Sequence, residues 1–214
     1  MILDKQRIAL YWLVLVYTSG TIGIVFAPDF FLPFTPLNLL MSAAFIFNFS
    51  MSASAHRTSL LVSLLCIAPA AWGIEWLGVH TGLIFGTYTY GASLGTSLDG
   101  IPLIIGINWW MLAFCAVQFA MHAMKLQSHL SIAAVAATVM MVLDVLMEFV
   151  APVLDFWSFT GMEYAPLHNF VGWWLSAFVL ILAFGKPLQT HRSSLALPLL
   201  VLQALFFGVL ALVL

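Results

Sequence analysis

Apolar residues gather into seven long runs, at roughly 8–26, 37–54, 59–78, 102–123, 130–150, 168–185 and 194–213. Charge, glycine and proline collect between them. A membrane-spanning helix needs about 20 mostly apolar residues, so the pattern predicts seven transmembrane helices. The expected fold class is an all-α polytopic membrane bundle, as a single domain over residues 1–214 with no linker, low-complexity tract or soluble appendage. The first run follows Lys5 and Arg7 and so imitates a signal peptide. It is long for the apolar part of a leader and lacks a small-x-small cleavage site, which favours a retained helix.

Composition agrees with this reading. The chain is 64% hydrophobic and 7% charged, with a mean hydropathy of +1.11, too little polar surface to cover a soluble globule. No basic cluster points to nucleic acid. Cys66 and Cys115 fall inside apolar runs without CxxC spacing, so they read as small buried hydrophobes and not as a disulfide or zinc site.

The basic residues orient the bundle. Lys5 and Arg7 precede the first run, Arg57 follows the second, Lys125 the fourth, and Lys186 and Arg192 lie between the sixth and seventh. All six fall on one side, which the positive-inside rule makes cytoplasmic. The N-terminus is therefore expected inside, the C-terminus outside, and the location is the cytoplasmic membrane. Asp29, Asp99, Asp155 and Glu163 then occupy the opposite loops.

Three carboxylates interrupt the runs: Glu75 in the third, and Asp144 and Glu148 in the fifth. An acidic residue at mid-helix costs about 2.5–3.5 kcal/mol on insertion scales, so its default reading is functional. At a rise of about 1.5 Å per residue, Glu75 sits roughly 24 Å and Asp144 roughly 21 Å from the cytoplasmic ends of their helices. Both thus reach the outer third of the bilayer. Asp144 and Glu148, four residues apart, share one helical face. With every Lys and Arg at the other side, carboxyls in an apolar setting favour their protonated form and become proton donors. The alternative is interhelical hydrogen bonding to Asn108 or Asn169.

His80, His168 and Asn169 flank spans on the same outer side. They are candidates to orient the acids or hold a water, the alternative for each histidine being an interfacial hydrogen-bonding residue. His56, His122, His129 and His191 lie toward the cytoplasmic side and read as solvated or snorkelling. The HxxxH and HxxHH boxes of membrane di-iron hydroxylases are missing, the last run has no lysine for a retinal Schiff base, and no GxGxxG or phosphate loop occurs.

Residues 79–101 form a 23-residue link carrying Gly82, Gly86, Gly91 and Gly95 at small-xxx-small spacing, with Phe85, Tyr88 and Tyr90 between them. Such a link suits a segment folded over the acids at membrane depth, or an ordinary exposed loop. Asn108-Trp109-Trp110 after Pro102 and Gly172-Trp173-Trp174 after Pro166 stand at matching offsets. Either the third and fourth helices are an old parallel duplicate of the fifth and sixth, or the tryptophans are interfacial anchors.

Taken together, Trp72-Gly73-Ile74-Glu75-Trp76-Leu77-Gly78, Gly82-Leu83-Ile84-Phe85-Gly86-Thr87-Tyr88-Thr89-Tyr90-Gly91, Ile101-Pro102-Leu103, Leu143-Asp144-Val145-Leu146-Met147-Glu148 and Asn169-Phe170-Val171-Gly172-Trp173 resemble the CruF-type carotenoid biosynthesis proteins, the carotenoid hydratases. The likeness covers about residues 70–180. One departure is that Phe149 follows Glu148 where a proline would be looked for, Pro152 coming three residues later.

The resemblance implies a cofactor-free hydro-lyase that adds water across the terminal double bond of an acyclic carotenoid such as γ-carotene, lycopene or a C50 carotenoid, giving a tertiary alcohol. The candidate catalytic set is Glu75, Asp144, Glu148, His80, His168 and Asn169, with Glu75 and Asp144 equally eligible as proton donor. Trp76, Phe85, Tyr88, Tyr90, Asn108, Trp109 and Trp173 are the candidate substrate-binding residues. Expected partners are the carotenoid and the lipid bilayer, with association with other carotenoid enzymes left open. A cyclase or isomerase using the same acids, and a proton-coupled transporter, are the rival readings.

Overall fold

The computed structural model describes residues 4–52, 57–162 and 164–214. His56 and Glu163, assigned above to opposite faces, lie outside the described residues. In chain order the elements are α1 (Lys5–Phe26), α2 (Pro28–Phe31), a 3-10 turn (Leu32–Phe34), α3 (Thr35–Phe49), β1 (Met51–Ser52) and α4 (Arg57–Thr81). Then come β2 (Tyr88–Tyr90), β3 (Ser97–Leu98), β4 (Ile101–Pro102), α5 (Ile104–His122) and α6 (His129–Glu148). The chain ends with β5 (Trp157–Phe159), α7 (Leu167–Phe184), α8 (Lys186–Thr190), β6 (His191–Arg192) and α9 (Ala196–Val213). Seven helices among the described residues are long and apolar enough to cross a membrane, Pro28–Phe49 counting as one. This is a multi-pass membrane protein.

Local sequence explains where the helices start and break. Asp4 caps α1, its side chain accepting the Gln6 N–H at 3.3 Å. Pro28 ends α1, and Pro28, Pro33 and Pro36 each open a new turn. The second span is therefore a short helix, a 3-10 turn and a longer helix in series. In α4, Pro69 sits inside the helix, and Gly106 of α5 packs on the carbonyl of Ala68 beside it, where a side-chain carbon would collide.

The centre is α5. It is apolar all round and buried on nearly every face, as a helix without a polar stripe must be. α4, α6, α3 and α9 pack against it. Within this arrangement α4, α5, α6 and α7 close a ring, α4 against α5, α5 against α6, α6 against α7 and α7 against α4. Its features pair off two by two. Trp110 donates to Ser63 of the preceding helix at 3.0 Å, and Trp174 to Thr138 of its own preceding helix at 3.0 Å. Trp109 and Trp173 stack face to face with centroids 4.1 Å apart. Trp109, Trp110 and Trp173 thus join helices inside the bundle, and half-buried Trp174 bonds its neighbouring helix at the bundle surface.

Extended segments were not expected from the apolar pattern. β2 and β5 pair antiparallel, Tyr88 opposite Phe159 and Tyr90 opposite Trp157. Each comes from the link that follows α4 or α6, so the two halves share one small sheet. β3 and β4 form a hairpin whose turn residues Asp99 and Gly100 both have positive φ, 50° and 80°, the requirement of a type I′ turn. The 79–101 link is thus folded onto the end of the bundle, with Phe85, Tyr88 and Leu94 buried.

At the opposite end β1 pairs with β6. His122 is exposed and His129 half-buried there, but His191 is 2% exposed, a correction to its solvated reading. Its ring lies 2.8 Å from the Pro187 carbonyl, while Gln118 of α5 donates to the carbonyls of Leu188 and His191 and holds α8 against the core. Cys66 and Cys115 are both free thiols.

Candidate active site

A cavity of about 320 Å³ runs into the bundle from the β2–β5 end. Two carboxyl groups line it, Glu75 from α4 and Glu148 from the last turn of α6, among walls that are otherwise mostly aromatic and aliphatic. The four-residue spacing of Asp144 and Glu148 puts both on one inward face of α6, and the folded link after α4 brings further polar groups down onto Glu75.

Glu75 is 2% exposed and surrounded by donors. Tyr88 and Tyr90, from β2, donate to its Oε2 at 2.5 and 2.7 Å, and Trp109 of α5 donates to Oε1 at 3.0 Å. Strand alternation places both phenols, two residues apart, on the same face of β2. They converge because β2 crosses over the end of α4 and both side chains are long enough to reach one carboxyl oxygen. Burial, and then the charge of Glu75, push both phenols above their ordinary value. They therefore keep their protons and remain donors.

The second acid group has a different architecture. Asn169 of α7 divides its amide between Asp144 Oδ2 and Glu148 Oε1, each 3.1 Å away. Trp157 of β5 donates to Glu148 Oε2 at 3.1 Å. Asp144 is fully buried behind the cavity wall, and its Oδ1 has no hydrogen-bond partner among the described residues. Two carboxyls held by one amide cannot both carry charge without strong repulsion. The pair is therefore built to share a proton, with Glu148 as the member that meets the cavity.

Of the residues singled out in the sequence, Glu75, Glu148, Asn169, Phe85, Tyr88, Tyr90, Asn108, Trp109 and Trp173 line this one cavity, and Asp144 stands directly behind it. The structure does not bring the others there. His80 is exposed, stacks on Trp76 at 4.5 Å, and lies 3.3 Å from Asp99. Trp76 itself donates to Asp99 at 2.6 Å. These contacts tie the end of α4 to the β3–β4 turn, away from the acids. His168 is also exposed, packed beside Gly86 at the start of α7. A residue one position from a buried one on a helix points about 100° away, which separates His168 from Asn169.

Sequence reading missed Trp157, whose indole holds Glu148, and the far wall supplied by α1, α3 and α9. Trp157 lies nine residues after Glu148 in a segment with no strand signal longer than three residues. The far wall includes Tyr17, Asn38 and Gln203, polar residues inside apolar runs, and that was the available signal.

The chain is 30% identical over 135 residues to a bisanhydrobacterioruberin hydratase from Haloarcula japonica, the match covering 58% of this chain and 44% of the relative. The chain thus spans less than half the length of that relative. No solved structure matches it. The family model described as "Carotenoid biosynthesis protein" matches residues 34–214, which contain both acid groups and the strands over them, and the chain belongs to the carotenoid biosynthesis protein family.

Proposed function

We propose that the protein is a carotenoid hydratase, adding water across the terminal double bond of an acyclic carotenoid end to give a tertiary alcohol. The observation that carries this reading is one apolar, aromatic-walled cavity reached by two carboxyl groups in different settings, Glu75 alone among three donors and Glu148 sharing an amide with a second carboxyl.

An isolated trisubstituted alkene is a feeble base, and its hydration calls for a carboxylic acid in a dry pocket. Glu148, protonated beside the buried carboxyl of Asp144, gives its proton to the terminal alkene carbon. The electron pair of the double bond forms the new C–H bond and leaves a tertiary carbocation. Glu75, to which every neighbour donates, acts as the carboxylate that stabilises this cation and accepts a proton from the attacking water. The faces of Trp109 and Trp173 add cation stabilisation. Asn108, buried in the cavity wall with its Oδ1 unpartnered among the described residues, is suited to hold the water. One proton leaves Glu148 and one arrives on Glu75, so transfer between them resets the site. No cofactor enters this scheme.

In this reading the acids face the outer leaflet of the cytoplasmic membrane, with the N-terminus inside. Production of the protein in cells making lycopene or γ-carotene, followed by mass analysis of the pigments, tests it. A product heavier by one water is expected. An unchanged mass with a new chromophore would instead indicate cyclisation or isomerisation, and pigment moved without chemical change would indicate transport.

A further inference from the structure

The cavity holds about 320 Å³, near the lower end of the range of about 300–1,000 Å³ that encloses a drug-sized molecule. A carotenoid is a stiff rod whose length matches the hydrocarbon core of a bilayer, roughly 30 Å. The reacting end alone fits beside the acids, so the rest of the chain has to leave the protein.

The seam between α1 and α3 offers an exit. The prolines that break the second span separate these two helices: α1 packs on α2 and α9, whereas α3 packs on α5. Aromatic contacts close the seam at both ends. At the end nearer Phe26 the Phe31 ring covers Gly23, where a side-chain carbon would collide with it. At the end nearer Lys5 the rings of Trp12 and Phe45 meet edge to face, with centroids 5.5 Å apart. Between Trp12 and Gly23 lie about 16 Å of helix rise.

In that interval α1 turns Val16, Ser19 and Gly20 to the cavity, at the spacing of one helical face. None of them is large enough to fill the gap, and a side-chain carbon at Gly20 would meet only Phe206, at 3.9 Å. Ser19, and Phe34 and Leu37 from the second span, line the cavity and are also exposed on the outside of the bundle, Phe34 by 50% and Leu37 by 54%. Residues that belong to both surfaces mark an opening. Ser19 lies about 10 Å along α1 from the helix end at Phe26, so the opening faces hydrocarbon and not water.

We infer that this opening is a lateral port, through which a polyene enters from the bilayer end first and in which its unreacted length remains while the terminal double bond reaches the acids. The inference rests on the hydratase reading for the nature of the chain. The rim suits that occupant: Val16, Phe34 and Leu37 are apolar, so a conjugated chain replaces lipid against them without desolvating a charge. Ser19 matters because it is small.

The test uses two acyclic polyenes with the same terminal trisubstituted double bond, one of them carrying a bulky biotin group at its distal end. Affinity is read from quenching of tryptophan fluorescence in the purified full-length protein, which does not depend on turnover. The two polyenes should bind within about threefold of each other, because the distal end stays outside the protein. Ser19→Phe should weaken both by about tenfold, the loss of contact over two carbons of chain. Thr18→Phe is the comparison, exposed on α1 but outside the cavity lining and about 100° around the helix, and it should leave both affinities within about twofold.

A loss of about tenfold or more on adding the distal group would show an enclosed chain and overturn the inference. So would unchanged affinities in Ser19→Phe, the result expected if the chain leaves by the β2–β5 end. Equal weakening in Ser19→Phe and Thr18→Phe, the result of a general loosening of α1, would overturn it too. If Ser19→Phe does not fold, Val16→Phe carries the same comparison. Tolerance of the distal group and sensitivity at Ser19 without any water-adduct product would strike the hydratase reading alone. A water adduct made as fast by Ser19→Phe as by the unaltered protein, with affinities unchanged, would strike this inference alone.

Discussion

Replacing Glu75 by glutamine changes one atom and one charge, and its consequences can be worked out from three hydrogen bonds. Tyr88 and Tyr90 donate to one oxygen and Trp109 to the other. The amide keeps a single acceptor. It will turn that oxygen toward the two phenols, leaving its NH₂ against the Trp109 indole N–H. One donor is then unmatched in a buried site, a loss of about 1–3 kcal/mol in stability. The chemical step loses the negative charge that faces the carbocation and the base that takes the water proton, together worth a factor of about 10² to 10⁴ in rate. Binding of the apolar chain should change far less. The assay is turnover of an acyclic carotenoid by purified protein in detergent, with the product separated and weighed, and polyene affinity measured in parallel. His80→Ala is the comparison, since His80 is exposed on the far side of Trp76, and its rate should stay within about twofold of the unaltered protein. A folded Glu75→Gln variant retaining a rate within threefold would refute the role given to Glu75, and so would a His80→Ala variant as slow as Glu75→Gln.

Asn169→Leu removes the amide that joins Asp144 to Glu148; a fall in kcat of at least about tenfold is expected, with the acid limb of the pH–rate profile displaced because the two carboxyls are no longer linked. Trp173→Ala deletes the stack on Trp109 and opens the cavity wall, at about 3–5 kcal/mol, read as a lowered thermal midpoint in detergent. Gly172→Ala places a carbon against the Ile84 carbonyl, and overpacking of about 1–3 kcal/mol should appear in the same measurement. Tyr88 and Tyr90 have folded values above their ordinary 10.0. Their contribution to stability is therefore fully present below pH 10 and is lost as pH rises beyond it. The melting temperature should fall more steeply there for the unaltered protein than for the Tyr88→Phe, Tyr90→Phe double variant; equal slopes would contradict this.

The bundle was legible because lipid imposes a simple rule, that each span is a long apolar run; six of the seven runs match their helices within a few residues, while the second, read as 37–54, begins nine residues earlier at Pro28, beyond the prolines that break it. The acids were legible for the converse reason, since a carboxyl in such a run is costly enough to stand out. Glu75, Asp144 and Glu148 were visible on those grounds, and Tyr88 and Tyr90 through their place in a glycine-rich link. What periodicity does not carry is pairing across the chain. β2 and β5 are three residues each, too short for an alternating signature, so Trp157 went unnoticed and Tyr88 was read only as a wall residue. His80 was misplaced for a related reason: proximity in sequence to Glu75 says little when five residues turn a helix by well over one revolution. The far wall from α1, α3 and α9 lay in runs whose polar residues, Tyr17, Asn38 and Gln203, are neutral and therefore raise less alarm than an acid.

The sharing of one sheet by the two halves of the ring bears on how such a site can arise. Were α4–α5 and α6–α7 to descend from one helix pair, their meeting with tryptophans face to face would be the contact that a symmetric dimer of a small ancestral subunit makes. In such a dimer every substitution occurs twice, and both acids are bound to be alike. Once the copies are fused, each half can drift separately. Here one half surrounds a lone glutamate with phenols, and the other gathers two carboxyls around an amide.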